Sequence, residues 1–206
     1  MHPADPPPQR RPGTLNLFDE TRLRLSDADA LRELREDLVR VSLQRGEVRL
    51  DSGVQQPYFF DKYLIASRPA LLRRLARFLA AEVPPETDRL AAPTLGAVAF
   101  GTAVSLETGL PLVIVRTHWE EGRRSKAVEG GLHRGETVVL IEDVVVTGSR
   151  ALHAVERLRS EGATVTAVVA AIDCEQGADR AMARQQVAYA PLFRYSNFSS
   201  AQETAP

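Results

Sequence analysis

The sequence predicts an α/β protein in which a mainly parallel β-sheet is covered by helices. Two observations carry this. From residue 89 onward, short, mostly apolar runs at Arg89 to Ala92, Leu112 to Val115, Val138 to Ile141 and Val165 to Ile172 alternate with helix-like stretches or loops, and the last three are rich in β-branched residues. A strand with one face in water alternates apolar and polar side chains, whereas a continuous run of four to eight residues indicates a strand buried on both faces. Strands of that kind, separated by helical patterns, belong to a parallel sheet with helices on its faces. At 206 residues and 44% hydrophobic, the chain can bury one substantial core, so a single domain is expected.

Taken in order, residues 1–25 are expected to be a tail, opening with the proline-rich, apolar-poor MHPADPPPQRRPG. The domain is expected over 26–198. Ser26, followed by Asp27 and Asp29, caps an amphipathic helix whose apolar positions are Leu31, Leu34, Leu38 and Val41, and which is expected to end near Gly46. Val48 to Tyr63 mixes β-formers with a turn at Asp51-Ser52-Gly53. A second helix is expected from Pro69 to Ala81, burying Leu71, Leu72, Leu75 and Phe78-Leu79, with Pro84-Pro85 beyond its end. The small, polar segment 199–206 is expected to be a flexible tail.

The composition excludes several function classes. Twenty-six basic against twenty-seven acidic residues give no bias towards nucleic acid or an anionic membrane. The one cysteine, Cys174, can form no internal disulfide, and no cluster has metal-ligand spacing, so a reducing cytoplasm is expected. No apolar run resembles a signal peptide or reaches the roughly 18 residues of a membrane span. Small-molecule chemistry in a soluble protein remains.

The strongest chemical signal is Val138-Val-Leu-Ile-Glu142-Asp143-Val-Val-Val-Thr147-Gly148-Ser149-Arg150, followed by a helical pattern through Ala151, Val155 and Leu158. An apolar strand delivers two adjacent carboxylates at its carboxyl end, and a hydroxyl- and glycine-containing loop then opens a helix. Ligands of open α/β sheets sit at such strand ends, where helix N-termini offer N–H groups and positive dipole character to phosphate. Gly148 lets the backbone approach an anion closely, and Thr147 and Ser149 add hydroxyl donors. A second turn, Ala92-Pro93-Thr94-Leu95-Gly96-Ala97, lies just after a strand and before a helix expected near Val98, where small residues expose backbone N–H groups.

The first stretch resembles the phosphoribosyl pyrophosphate (PRPP) motif of type I phosphoribosyltransferases, and the resemblance is nearest to the orotate enzymes. It extends through Ser52-Gly53, Pro57-Tyr58-Phe59-Phe60-Asp61-Lys62-Tyr63, Ser105 to Pro111, Val115-Arg116, Glu129-Gly130 and Ile172-Asp173. It implies a central, mainly parallel sheet flanked by helices with a small N-terminal hood. The implied activity is transfer of 5-phosphoribosyl from PRPP to a pyrimidine-like base, orotate or an altered heterocyclic acceptor, with release of pyrophosphate. Mg²⁺ is the implied cofactor, and a homodimer with a shared site the implied assembly. Carried over by residue, Glu142 and Asp143 hold the ribose hydroxyls and Val146, Thr147, Gly148, Ser149 and Arg150 the 5-phosphate. Pro93, Thr94, Gly96 and Ala97 face the pyrophosphate, and Asp51, Phe59, Phe60, Lys62 and Cys174 lie at the base. Arg116, Arg123, Arg124, Lys126 and Asp143 are the implied catalytic groups.

The chain also departs from that pattern. In the loop after Arg116, Thr117 and Glu120 stand where the orotate enzymes have lysines, and Arg123, Arg124 and Lys126 are the cations available to replace them. Asp51 and Cys174 stand at positions usually held by a lysine and an arginine, which predicts weaker attraction for an acidic pyrimidine. Val146 replaces a common threonine. A protein that keeps the phosphate sites and loses turnover, a PRPP sensor, is the alternative these changes raise.

Overall fold

In a computed structural model of the chain, the described residues are 27–49, 55–117 and 126–199. The first helix, α1 (Asp27–Ser42), is followed at once by a hairpin of β1 (Leu43–Arg49) and β2 (Gln55–Phe60), and then by a five-residue helix α2 (Lys62–Ala66) and by α3 (Pro69–Ala81). The main sheet begins with β3 (Arg89–Pro93), α4 (Gly96–Thr108), β4 (Leu112–Val115) and β5 (Val128–Glu129). It continues through β6 (Thr137–Val145), α5 (Ser149–Ser160), β7 (Thr164–Asp173), α6 (Ala178–Arg184) and β8 (Ala188–Arg194), and a last turn of helix is α7 (Ser196–Ser199).

The strand order is β5-β4-β3-β6-β7-β8, with every pair parallel except β4 with β5. From β3 the chain moves outward through α4 to β4, whereas from β6 it moves the other way through α5 to β7 and through α6 to β8. The direction of winding therefore reverses between β3 and β6. That reversal opens a crevice at the carboxyl ends of the two strands, the place where open α/β sheets bind ligands.

Continuous apolar strands feed two cores, as a sheet covered on both faces requires. Val139 and Ile141 of β6 join Leu34, Leu38, Leu75, Leu79, Phe100 and Val104 on the face of α1, α3 and α4. Val138 and Leu140, their neighbours in sequence, join Ala154, Val155, Leu158 and Met182 under α5 and α6. Pro69 opens α3 at its first helical turn, and Leu71, Leu75 and Leu79 are buried along one stripe.

Three expectations need correction. The first helix ends at Ser42 and not near Gly46, because β1 takes over the backbone groups by pairing with β2, Leu43 opposite Phe60. The run expected over Val138 to Ile141 continues as a strand to Val145, opposite Asp173, so Glu142 and Asp143 at its carboxyl end are still paired with β7. β8 was not expected as a strand: its Pro191 argues against a central one, and β8 lies at the sheet edge, where proline is tolerated. The antiparallel β1-β2 pair supplies the small N-terminal hood. Asp51, Arg123 and Arg124, and the two expected tails apart from Ser199, lie outside the described residues.

Candidate active site

The carboxyl end of β6 places two carboxylates in the crevice. Glu142 and Asp143 are 3% and 2% exposed, which is unusual for acidic groups without a fully paired environment. Asp143 Oδ1 accepts the Val144 N–H at 2.6 Å, and its Oδ2 pairs with Lys62 Nζ at 2.9 Å. Among the described residues, Glu142 accepts only the N–H of Asp143, at 3.3 Å. Burial, and next the negative charge of Asp143, push the Glu142 carboxyl well above the ordinary glutamate range; Lys62 and Arg150 act in the opposite sense without cancelling it. A buried acid pair with one close cation is an electrostatically incomplete arrangement, ready for further hydrogen-bond donors.

Lys62 reaches this pair from the first turn of α2. Asp61 caps that turn, its Oδ1 accepting from the N–H groups of Tyr63 and Leu64 at 3.0 and 3.1 Å, and buried Ile65 anchors the helix. Gly96, the first residue of α4, closes the floor: a Cβ there would stand 2.0 Å from Asp143 Oδ2 and 2.6 Å from Lys62 Cε and Nζ. No side chain fits at Gly96 without displacing the ion pair.

On one side of the acid pair lies the loop that opens α5. Gly148 has φ +83°, the left-handed region that favours glycine, and an added Cβ would crowd the Ala178 backbone at 3.3 Å and Met182 Cε at 3.2 Å. The hydroxyls of Thr147 and Ser149 lie 3.1 Å apart, both exposed, and Arg150 follows in the first turn of the helix. Exposed hydroxyls, a left-handed glycine and the N-terminus of a twelve-residue helix form an anion cradle. Val146 packs against the first core.

On the other side is the turn between β3 and α4, with Pro93, Gly96 and Ala97 buried and Leu95 exposed. Thr94 ties this turn to the start of the next loop. Its N–H donates to the Val115 carbonyl at 2.8 Å, its Oγ1 accepts the Thr117 N–H at 3.1 Å, and Thr117 Oγ1 donates to the Thr94 carbonyl at 3.2 Å. Thr117, noted in the sequence only as a lost cation, is a clasp between two loops. The far stem of that loop is held by Arg116, whose N–H donates to the Ala127 carbonyl at 2.9 Å and whose Nε pairs with Glu129 at 3.1 Å. Lys126 is exposed beside it.

Of the residues assigned to a base, Phe59 and Phe60 lie in the hood and Cys174 follows β7. Phe60 is buried in the first core with its ring 4.9 Å from that of Phe198, while Phe59 is half-buried. Cys174 is buried, and burial first of all pushes its thiol up to about 12, so it is not a thiolate at neutral pH. Tyr58, read in the sequence only as part of the Pro57 to Tyr63 run, and Tyr195, which carried no signal there, meet in the structure. Tyr58 donates its hydroxyl to the Cys174 carbonyl at 3.0 Å, and its ring stacks on Tyr195 with centroids 3.5 Å apart. Their meeting joins the hood to the end of β8, a contact 137 positions apart in the chain that no local pattern could disclose.

Comparisons with known proteins identify the family. The phosphoribosyl transferase domain family matches residues 65–190. Orotate phosphoribosyltransferase of Methanothermobacter thermautotrophicus is 36% identical over 172 residues, 81% of this chain and 95% of that protein. That of Pyrococcus furiosus is 35% identical over 167 residues, 77% and 92% of the two chains. The orotate phosphoribosyltransferase of Mycobacterium tuberculosis H37Rv, solved in complex with PRPP, superposes with a TM-score of 0.68 at 25% identity, over 82% of this chain and 99% of that one. The chain belongs to the orotate phosphoribosyltransferase family.

Proposed function

We propose, with membership of that family as the premise, that this protein transfers the 5-phosphoribosyl group of PRPP to orotate and releases pyrophosphate. The observation that carries the reading is the buried Glu142–Asp143 pair between two anion-binding turns, at the point where the sheet reverses its winding. A diol flanked by phosphates at both ends is the ligand such an arrangement suits. The ribose hydroxyls donate to the two carboxylates, Thr147 to Arg150 hold the 5-phosphate, and the Pro93 to Ala97 turn faces the pyrophosphate.

In the reaction the bond from the anomeric carbon to the pyrophosphate oxygen breaks with its electron pair going to pyrophosphate, and a bond forms from a ring nitrogen of the base. The nitrogen's proton is lost to solvent. The sugar carries positive charge as the bond breaks, and the adjacent carboxylates stabilise it electrostatically while both ends of PRPP are held fixed. No protein nucleophile is required, in keeping with the raised thiol of Cys174. Arg116, Arg123, Arg124 and Lys126 are proposed to offset charge on the leaving group.

Magnesium is proposed to enter with PRPP. Among the described residues no group of three or more His, Cys, Asp or Glu side chains forms a cage for a metal ion. Magnesium bound through substrate phosphates takes only one or two carboxylates, and Glu142 and Asp143 fit that demand. When bound, it supplies Lewis-acid stabilisation of charge on the pyrophosphate. A homodimer in a reducing cytoplasm completes the proposal, and sedimentation as a monomer at micromolar concentration contradicts the shared site. Among the described residues no helix is long and apolar enough to cross a membrane.

The activity is tested by incubating the protein with PRPP, Mg²⁺ and orotate and assaying the nucleotide product and pyrophosphate together. Equal amounts of both are expected. PRPP binding with neither product replaces the transferase with a PRPP sensor.

A further inference from the structure

We infer that Lys62 is a pyrophosphate-binding residue, a cation supplied by α2 where Thr117 and Glu120 stand in place of loop lysines. The inference rests on the PRPP reading of the site and assigns Lys62 away from the base. Its Nζ lies 2.9 Å from Asp143 Oδ2, with its side chain 18% exposed, so it stands at the ribose end of the crevice and still faces solvent.

Its position along the crevice is fixed by Gly96. Lys62 Cε and Nζ both lie 2.6 Å from where a Cβ of Gly96 would stand, and Gly96 is the residue at which the pyrophosphate turn passes into α4. Lys62 therefore bridges the acid pair and the turn. That turn, Pro93-Thr94-Leu95-Gly96-Ala97, has no basic side chain, and Thr117 at the adjoining loop is spent on its clasp with Thr94. Among the described residues, Lys62 is the one cation ion-paired with the acid pair.

The charges favour such a group. Two adjacent buried acidic groups repel the phosphates of an approaching PRPP, and an ammonium beside them offsets that repulsion and the charge that builds on the departing pyrophosphate, alongside Mg²⁺. An ammonium has three donors on one flexible stem. One donor can keep Asp143 Oδ2 while another takes a pyrophosphate oxygen, with no movement of the backbone. The neighbouring Tyr63 ring, its centroid 5.8 Å from Nζ, is at the outer limit of a cation–π contact and does not hold the amine against that shift.

Calorimetric titration of the wild type, Lys62→Gln and Lys62→Arg with PRPP, ribose 5-phosphate and pyrophosphate separates this role from simple support of Asp143. Lys62→Gln is expected to lose about tenfold to a hundredfold in affinity for PRPP and for pyrophosphate, the loss of one charge-assisted hydrogen bond. Its affinity for ribose 5-phosphate is expected to stay within about threefold, showing that the variant is folded with its acid pair in place, and Lys62→Arg should recover most of the PRPP affinity. Equal losses for PRPP and ribose 5-phosphate would make Lys62 a support for Asp143 only, and no loss for either would remove it from the site. Failure of the wild type to bind PRPP or ribose 5-phosphate would overturn the reading of the site itself.

Discussion

Two glutamates six positions apart, one just before β6 and one within it, are held in opposite ways. Glu136, at the amino end of the strand, meets Arg89 through two hydrogen bonds of 2.7 Å and accepts the His133 N–H at 2.9 Å. Burial works to raise its pKa, but those partners outweigh burial and hold the carboxyl below its ordinary value. Glu142, at the carboxyl end, accepts one long hydrogen bond and is held above its ordinary value. One carboxylate is satisfied by the fold, and the other is left for a ligand to satisfy. The difference separates structure from function along a single strand.

Breaking the open end should have the largest effect. Gly96→Val puts a branched side chain where the Lys62–Asp143 pair lies, and PRPP binding measured by calorimetry should be lost, on the order of 10²-fold or more, with the sheet still folded by circular dichroism. Breaking the closed end should act on stability instead. Arg89→Met leaves Glu136 buried without its bidentate partner and should cost about 3 kcal/mol in chemical denaturation, with PRPP affinity nearly unchanged in the folded fraction.

The same contrast sets the pH dependence. Glu142 binds its proton more tightly in the folded state, so its contribution to stability is full below its unfolded value of 4.5 and is lost as pH rises towards its folded value. Glu136 has the opposite sign, its contribution being present at neutral pH and lost as pH falls below 4.5. Thermal melts of Glu142→Gln between pH 5 and 8 should therefore fall less with rising pH than those of the wild type, and an unchanged slope would contradict the open-end assignment. A smaller effect is expected at the clasp. Thr117→Val removes a hydroxyl that bonds Thr94 and should cost about 1 kcal/mol of stability, a fall of roughly 2–4 °C in the melt, with KM for PRPP raised several-fold as the turn loosens.

What could be read from the sequence follows the same division. The strand-acid-loop-helix run from Val138 to Leu158 was legible because its parts are contiguous, and the Pro69 to Ala81 helix because proline at its start and leucines at helical spacing are local signals. The end of α1 was not legible, because the pairing of Leu43 with Phe60 decides it across the hairpin. β8 hid behind Pro191, whose tolerance depends on its place at the sheet edge. Lys62 was placed among base contacts by its neighbours in the chain, but its five-bond-long side chain points across the crevice to Asp143. Thr117 was visible as a missing charge and not as a bonded hydroxyl, since its partner Thr94 is 23 positions away. Backbone-built parts of the site were read, and parts made by side chains meeting across the fold were not.

The central claim is that the acid pair at the end of β6 receives the ribose of PRPP, and the direct measurement is PRPP affinity of the wild type against Asp143→Asn by calorimetry in the presence of Mg²⁺. The substitution keeps the shape and removes the charge. A fall on the order of 10²-fold is the result expected, with relief of repulsion with Glu142 and loss of the Lys62 pair acting in opposite directions on the melting temperature. Equal affinity in the two proteins would place PRPP elsewhere and contradict the account.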